Sequence, residues 1–215
     1  MKVLLVCFPR TGSTSISTYY KHANPNIKIF SEPFNFNGLE GYFPYKKVIS
    51  YENVFVKHMY QQMPSDLKDL SYKELYDIFY KSFDKVVFLD RRNINEQVES
   101  LSNALVTNVW HSKYIYNDTI SSTTLAEQLN NIAYWKGEFY KLAEEKNAKV
   151  FYYEDIYSSK ENMLEFLSEI GSEYNEEYYN TYLDNSNKYR VYSKINSIIW
   201  FIKINYLQKM NAIKL

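Results

Sequence analysis

The stretch Lys2-Val3-Leu4-Leu5-Val6-Cys7-Phe8-Pro9-Arg10-Thr11-Gly12-Ser13-Thr14-Ser15-Ile16 decides how this chain folds. Val3 to Cys7 is a short apolar run of the kind buried on both faces of a parallel sheet. Phe8 to Ser15 reads as a tight loop with one glycine, and Ile16 to Tyr20 opens a helical pattern. A strand, a loop and a helix N-terminus in succession turn backbone N–H groups and hydroxyls toward one point, with the positive end of a helix dipole behind them. Pro9 stiffens the entry, Gly12 lets the backbone approach an anion closely, and Arg10 adds a permanent cation. Thr11, Ser13, Thr14 and Ser15 supply hydroxyls, and Ser13 to Ser15 are the expected helix caps. The loop suits a phosphate, yet it lacks the Gly-Lys-Ser/Thr of nucleoside-triphosphate loops.

Outward from this loop, short apolar runs alternate with helical patterns. Strands are expected at Lys2–Cys7, Ile27–Phe30, Val54–Lys57, Lys85–Leu89 and Lys149–Tyr153. Helices are expected at Thr14–Lys21, Tyr72–Lys81, Ile94–Leu105, Leu125–Lys146, Lys160–Glu169 and Ile195–Met210. The alternation implies an α/β fold: a P-loop-like, doubly wound parallel sheet flanked by helices, with a C-terminal helical segment. The length of 215 residues fits one domain over residues 1–215. Asn35–Pro44 and Asn108–Thr123 read as loops, the second carrying Trp110 and His111; Ser172–Asn187 has little periodicity. In such sheets ligands bind outside the carboxyl ends of the strands, so the residues just after each strand are the ones to inspect.

Bulk properties narrow the function. The 25 Lys+Arg balance 25 Asp+Glu, which argues against a general nucleic-acid binder. Cys7 is the single cysteine, so no intramolecular disulfide forms, and its place at the end of the first strand marks it as a buried small apolar residue. No apolar run approaches the ~18 residues of a membrane span; Lys203 interrupts Ile195–Leu207. With no signal-peptide pattern ahead of the first strand, the expectation is a cytoplasmic protein. The 23 tyrosines reflect either coding bias or a tyrosine-lined cleft. No His or Cys spacing marks a metal site, and none is expected.

A second anion site is suggested by the run Lys85–Leu89 followed by Asp90-Arg91-Arg92 and a helix bearing Ser100 and Ser102. Arg92 falls at the strand's carboxyl end and Ser100 eight residues on, a little over two helical turns later. An arginine at a helix start and a hydroxyl farther along can clasp a phosphate together.

Phe8–Ser15 resembles the phosphosulfate-binding loop of the sulfotransferase family, which grips the 5′ end of 3′-phosphoadenosine 5′-phosphosulfate. Arg92 to Ser100 resembles the family's second element, an Arg and a Ser eight apart that bind the 3′-phosphate. Val150-Phe-Tyr-Tyr-Glu-Asp-Ile156 resembles its later strand ending in Tyr-Glu-Asp-Leu. The three elements span residues 3 to 156, and Arg91-Arg92 with Val56-Lys57-His58-Met59 are most similar to bacterial carbohydrate sulfotransferases. One departure is Ile94, where a proline is common. The resemblance implies sulfuryl transfer from that donor to an acceptor hydroxyl, on a carbohydrate by preference, without a metal. It implies a carboxylate base at Glu32 in Ser31-Glu32-Pro33-Phe34, with His58 as the competitor. Cytosolic relatives use Lys-Thr-His at that place; His58 stands one residue early and is expected on the opposite strand face from a base there. Lys57 is the expected contact for the sulfuryl group or bridging oxygen, and Lys188 and Arg190 are further contacts for the 3′-phosphate end. Two other readings stay open: a kinase with a degenerate loop, supported by Asp90 at a strand end, and a non-catalytic nucleotide-binding module.

Overall fold

The computed structural model describes residues 1–35, 42–107 and 122–183. In chain order these form β1 (Lys2–Cys7), α1 (Ser13–Ala23), β2 (Lys28–Ser31), α2 (Tyr45–Ile49), β3 (Val54–Met59), α3 (Tyr72–Ser82) and β4 (Lys85–Asp90). There follow α4 (Ile94–Thr107), α5 (Ser122–Glu145), β5 (Val150–Tyr152), α6 (Tyr153–Ile156), α7 (Lys160–Glu169), α8 (Glu176–Tyr178) and a π-helical turn at Tyr179–Leu183. The expected helix at Ile195–Met210, the basic pair Lys188 and Arg190, and the loop residues Trp110 and His111 lie outside the described residues.

All strand pairs are parallel, in the order β2-β3-β1-β4-β5. Chain connections run left from β1 and right from β4, so the order reverses between these two central strands, and in open α/β sheets the carboxyl ends at such a reversal are where ligands bind. β1 is a near-continuous apolar run because both of its faces are covered. One face, bearing Val3, Leu5, Cys7, Phe55, Val87, Leu89 and Phe151, packs against α1 and α7 through Ile16, Tyr19, Tyr20, Met163 and Phe166. The opposite face of β3 and β4 meets α3 and the end of α5, where Phe88 packs on Tyr76 and Phe139.

The expected boundaries shift by a few residues for local reasons. β5 ends at Tyr152 because Tyr153 begins α6, with Glu154 and Asp155 in its first turn where the helix dipole favours acids. β3 runs on to Met59 by pairing with Cys7 of β1. α3 begins where Ser71 and Glu74 close a reciprocal capping box. The chain divides into two compact units: Met1–Arg92 with Gly137–Asp184, which holds all five strands, and a second whose described residues are 93–107 and 122–136. In the second, Val98 and Leu101 of α4 pack with Leu125 and Ile132 of α5. No helix among the described residues is long and apolar enough to cross a membrane.

Candidate active site at the carboxyl edge of the sheet

The turn after β1 has two residues in the left-handed region, Arg10 at φ 66° and Gly12 at φ 78°. Gly12 is itself the N-cap of α1, and no side chain caps the helix. This corrects the expectation that Ser13 to Ser15 supply the cap: they are already in the first helical turn. The first-turn N–H groups therefore meet no side-chain cap and no acidic residue, as an anion site requires. The hydroxyls are divided in use. Thr11 is buried and donates to the Phe8 carbonyl at 2.9 Å, which closes the turn on itself. Ser13 is buried beside Cys7, whose thiol burial pushes up to about 11. Thr14 reaches the edge of the sheet, where its Oγ1 accepts from Lys57 Nζ at 3.3 Å.

Gly12 answers to a second demand that the sequence did not announce. A Cβ there would stand 2.8 Å from the ring of Tyr153 and 3.1 Å from that of Tyr157. Tyr153 and Tyr157 are four residues apart, one turn from α6 into its C-cap, and their rings pack together at 4.7 Å. Tyr157 Oη donates to the Gly12 carbonyl at 3.4 Å. The guanidinium of Arg91 lies over the Tyr153 ring at 4.9 Å and donates to the Arg10 carbonyl at 3.4 Å, tying the turn after β4 to the turn after β1.

Glu32, just past β2, holds a left-handed backbone at φ 59°. Its amide donates to the Lys57 carbonyl at 2.8 Å, so the β2–β3 ladder carries one residue beyond the strand and sets the carboxylate beside Lys57. Lys57 Nζ meets Glu32 Oε1 at 2.9 Å; the lysine side chain is 2% exposed and the glutamate 26%. A lysine so buried requires a partner. Gln62 Nε2 and Asn35 Nδ2 each donate to Glu32 Oε2 at 3.3 Å. Burial pushes the Glu32 carboxyl up, and the Lys57 charge with the three hydrogen bonds more than offsets it, so the group titrates below the ordinary range. The result is a hydrogen-bonded chain from carboxylate to lysine to loop hydroxyl.

His58 points to the other face of β3. It is fully buried among Phe34, Tyr76 and Phe79, both ring nitrogens lack a hydrogen-bond partner, and burial pushes its pKa down to about 3. Arg92 is the last residue of the first unit; its guanidinium forks onto both carboxylate oxygens of Asp155 and lies 4.0 Å from the Tyr152 ring centre. Ser100 is buried on α4 in the second unit. Asp90, fully buried at the end of β4, accepts from Tyr140 Oη at 2.5 Å.

Of the residues expected from sequence, the first unit brings together the β1–α1 turn, Glu32 and Lys57, and it sets Arg92 on Asp155. Arg91, Gln62, Asn35, Tyr153, Tyr157 and Asp155 went unassigned. Their signal was position: each lies within five residues of a strand's carboxyl end.

No protein-family model matches the chain. No curated protein matches it in sequence. Among solved structures, it is similar to the crystal structure of mouse sulfotransferase SULT7A1 complexed with PAP, at TM-score 0.45 and 12% identity over 81% of this chain. The match spans 60% of that chain's length.

Proposed function

We propose that this protein transfers a sulfuryl group from 3′-phosphoadenosine 5′-phosphosulfate to an acceptor hydroxyl, a carbohydrate hydroxyl by preference. The observation that carries the reading is the chain Glu32–Lys57–Thr14, which joins a carboxylate and a cation to the uncapped turn at α1. Group transfer from an anion to a hydroxyl needs those three functions: a proton acceptor, a cation for the developing charge, and N–H donors for the transferred anion. The donor supplies the sulfuryl group on a phosphate anhydride. In the transfer, the acceptor oxygen forms the new S–O bond while the bond to the bridging phosphate oxygen breaks. Glu32 takes the hydroxyl proton, and Lys57 lies beside the reacting centre as counter-charge. A sugar hydroxyl is a weak acid, so a carboxylate held ionised beside it has chemical work to do.

A 3′-phosphorylated donor needs a second anion partner. Arg92 offers a fork that already grips a carboxylate bidentately, the geometry it would offer a phosphate. The lysine at the turn comes from β3 and not from the loop itself, which separates this site from the triphosphate loops. A kinase reading rests on Asp90, and one oxygen of that carboxylate accepts the Tyr140 hydroxyl.

Isothermal titration with adenosine 3′,5′-bisphosphate, against ATP with magnesium, tests the proposal. Binding of the bisphosphate is expected, and Arg92→Ala weakens it roughly ten- to hundredfold while sparing the 3′-dephospho nucleotide. Magnesium-dependent ATP binding with no response to the bisphosphate overturns the sulfotransferase reading in favour of the kinase.

A further inference from the structure

We infer that Asp155 is a built-in competitor for the second phosphate: it occupies the Arg92 guanidinium until a more highly charged oxyanion displaces it. The inference rests on the donor class proposed above. Three contacts support it. Both Arg92 Nη atoms engage both Asp155 oxygens, so the carboxylate takes the very donors a phosphate would use. The arginine backbone N–H donates to Glu154 Oε2 at 3.0 Å, and the guanidinium lies on the Tyr152 ring, so the arginine is anchored from the chain outward. Side-chain exposure is 51% for Arg92 and 50% for Asp155, so an entering anion can reach the pair from solvent.

The physical consequence is exchange, not simple addition. A ligand that takes Arg92 must first separate it from a carboxylate bearing one negative charge. A phosphate dianion has the charge to do so; a hydroxyl or a neutral group does not. The Tyr152 ring and the Glu154 contact keep the Arg92 fork near its place while the carboxylate swings away. Asp155 therefore sets charge selectivity at this position, and it lowers affinity for 3′-phosphorylated nucleotides so that product can leave. An exposed pair of this kind is worth little, so the effect is modest and specific.

The test is titration of the full-length protein and its Asp155→Asn variant with adenosine 3′,5′-bisphosphate and with adenosine 5′-monophosphate. Asparagine keeps the shape and removes the charge, and matched thermal midpoints verify that the variant is folded; Asp155→Ser is the second variant if asparagine lowers the midpoint. The expected result is a roughly two- to fivefold tighter bisphosphate complex in the variant, with monophosphate affinity unchanged. Unchanged or weaker bisphosphate binding in the variant, with the parent protein binding normally, overturns the inference and makes Asp155 a support for Arg92. Failure of both proteins to bind the bisphosphate overturns the donor assignment as well. An equal gain for both nucleotides also overturns it, because the competitor must act only where a 3′-phosphate is present.

Discussion

A carboxylate that is 26% exposed beside a lysine that is 2% exposed sets the acid–base chemistry of this edge. Glu32 is drawn upward by burial and held down more strongly by Lys57, Gln62 and Asn35. If it is the base, activity rises as pH climbs through its lowered pKa, so the acid limb of the rate profile lies below the ordinary glutamate value of 4.5. In Lys57→Met the burial remains and its counter-charge goes, so that limb moves to higher pH; a limb that stays put assigns the proton elsewhere. Glu32→Gln lowers kcat by about two to four orders of magnitude, the typical contribution of a general base, and spares nucleotide affinity. The place of Glu32 was legible from Ser31-Glu32-Pro33-Phe34 because it directly follows a strand, at the carboxyl edge of the sheet. Its partner Gln62 was not, since a hydrogen bond between side chains 30 residues apart leaves no mark in local pattern.

The turn from β1 into α1 shows how one glycine satisfies two constraints at once. Gly12 adopts φ 78° and lies under the rings of Tyr153 and Tyr157. The first constraint is local and readable; the second arrives from an element more than 140 residues away. Gly12→Ala forces a Cβ to within 2.8 Å of an aromatic ring, on a backbone costing about 1–2 kcal/mol for an L side chain. We expect the thermal midpoint to fall and the α1 N-terminus to lose anion affinity. Gly12→Ala in a Tyr153→Ala background relieves the contact and not the torsion, so calorimetry of the double variant recovers part of the loss. No recovery means that the rings do not press on the turn. The helix itself was expected to carry its own caps in Ser13 to Ser15. The structure spends these residues inside the first turn because the left-handed Gly12 takes the cap position.

The parallel sheet as a unit separates sequence neighbours by strand parity. On β3, Lys57 and His58 are sequence neighbours on opposite faces: the lysine meets the α1 turn, while the histidine sits in the aromatic layer beneath α3. Buried without partners, His58 stays neutral, with a folded pKa pushed from 6.5 to about 3. The unfolded chain takes up that proton below pH 6.5 and the native protein does not. Stability is therefore expected to fall toward acid across this window, by about 1.4 kcal/mol per pH unit at its steepest. Urea unfolding of His58→Leu should flatten that slope relative to the parent protein; an identical slope in both would place the acid sensitivity at another group. The apolar runs, the order of elements and the loop after β1 were readable from the chain because burial on two faces, helical period and turn chemistry are local properties. Strand order was not local: β1 lies between β3 and β4, and this puts Arg91 on the Arg10 carbonyl. Nor was the match of Glu32 to Lys57, or of Arg92 to Asp155, since each depends on which strand ends become neighbours. Local pattern says where a charged residue can stand; only the packing of strands into one sheet chooses its partner, because a buried or forked charge is stabilised by whatever the fold brings within hydrogen-bonding reach.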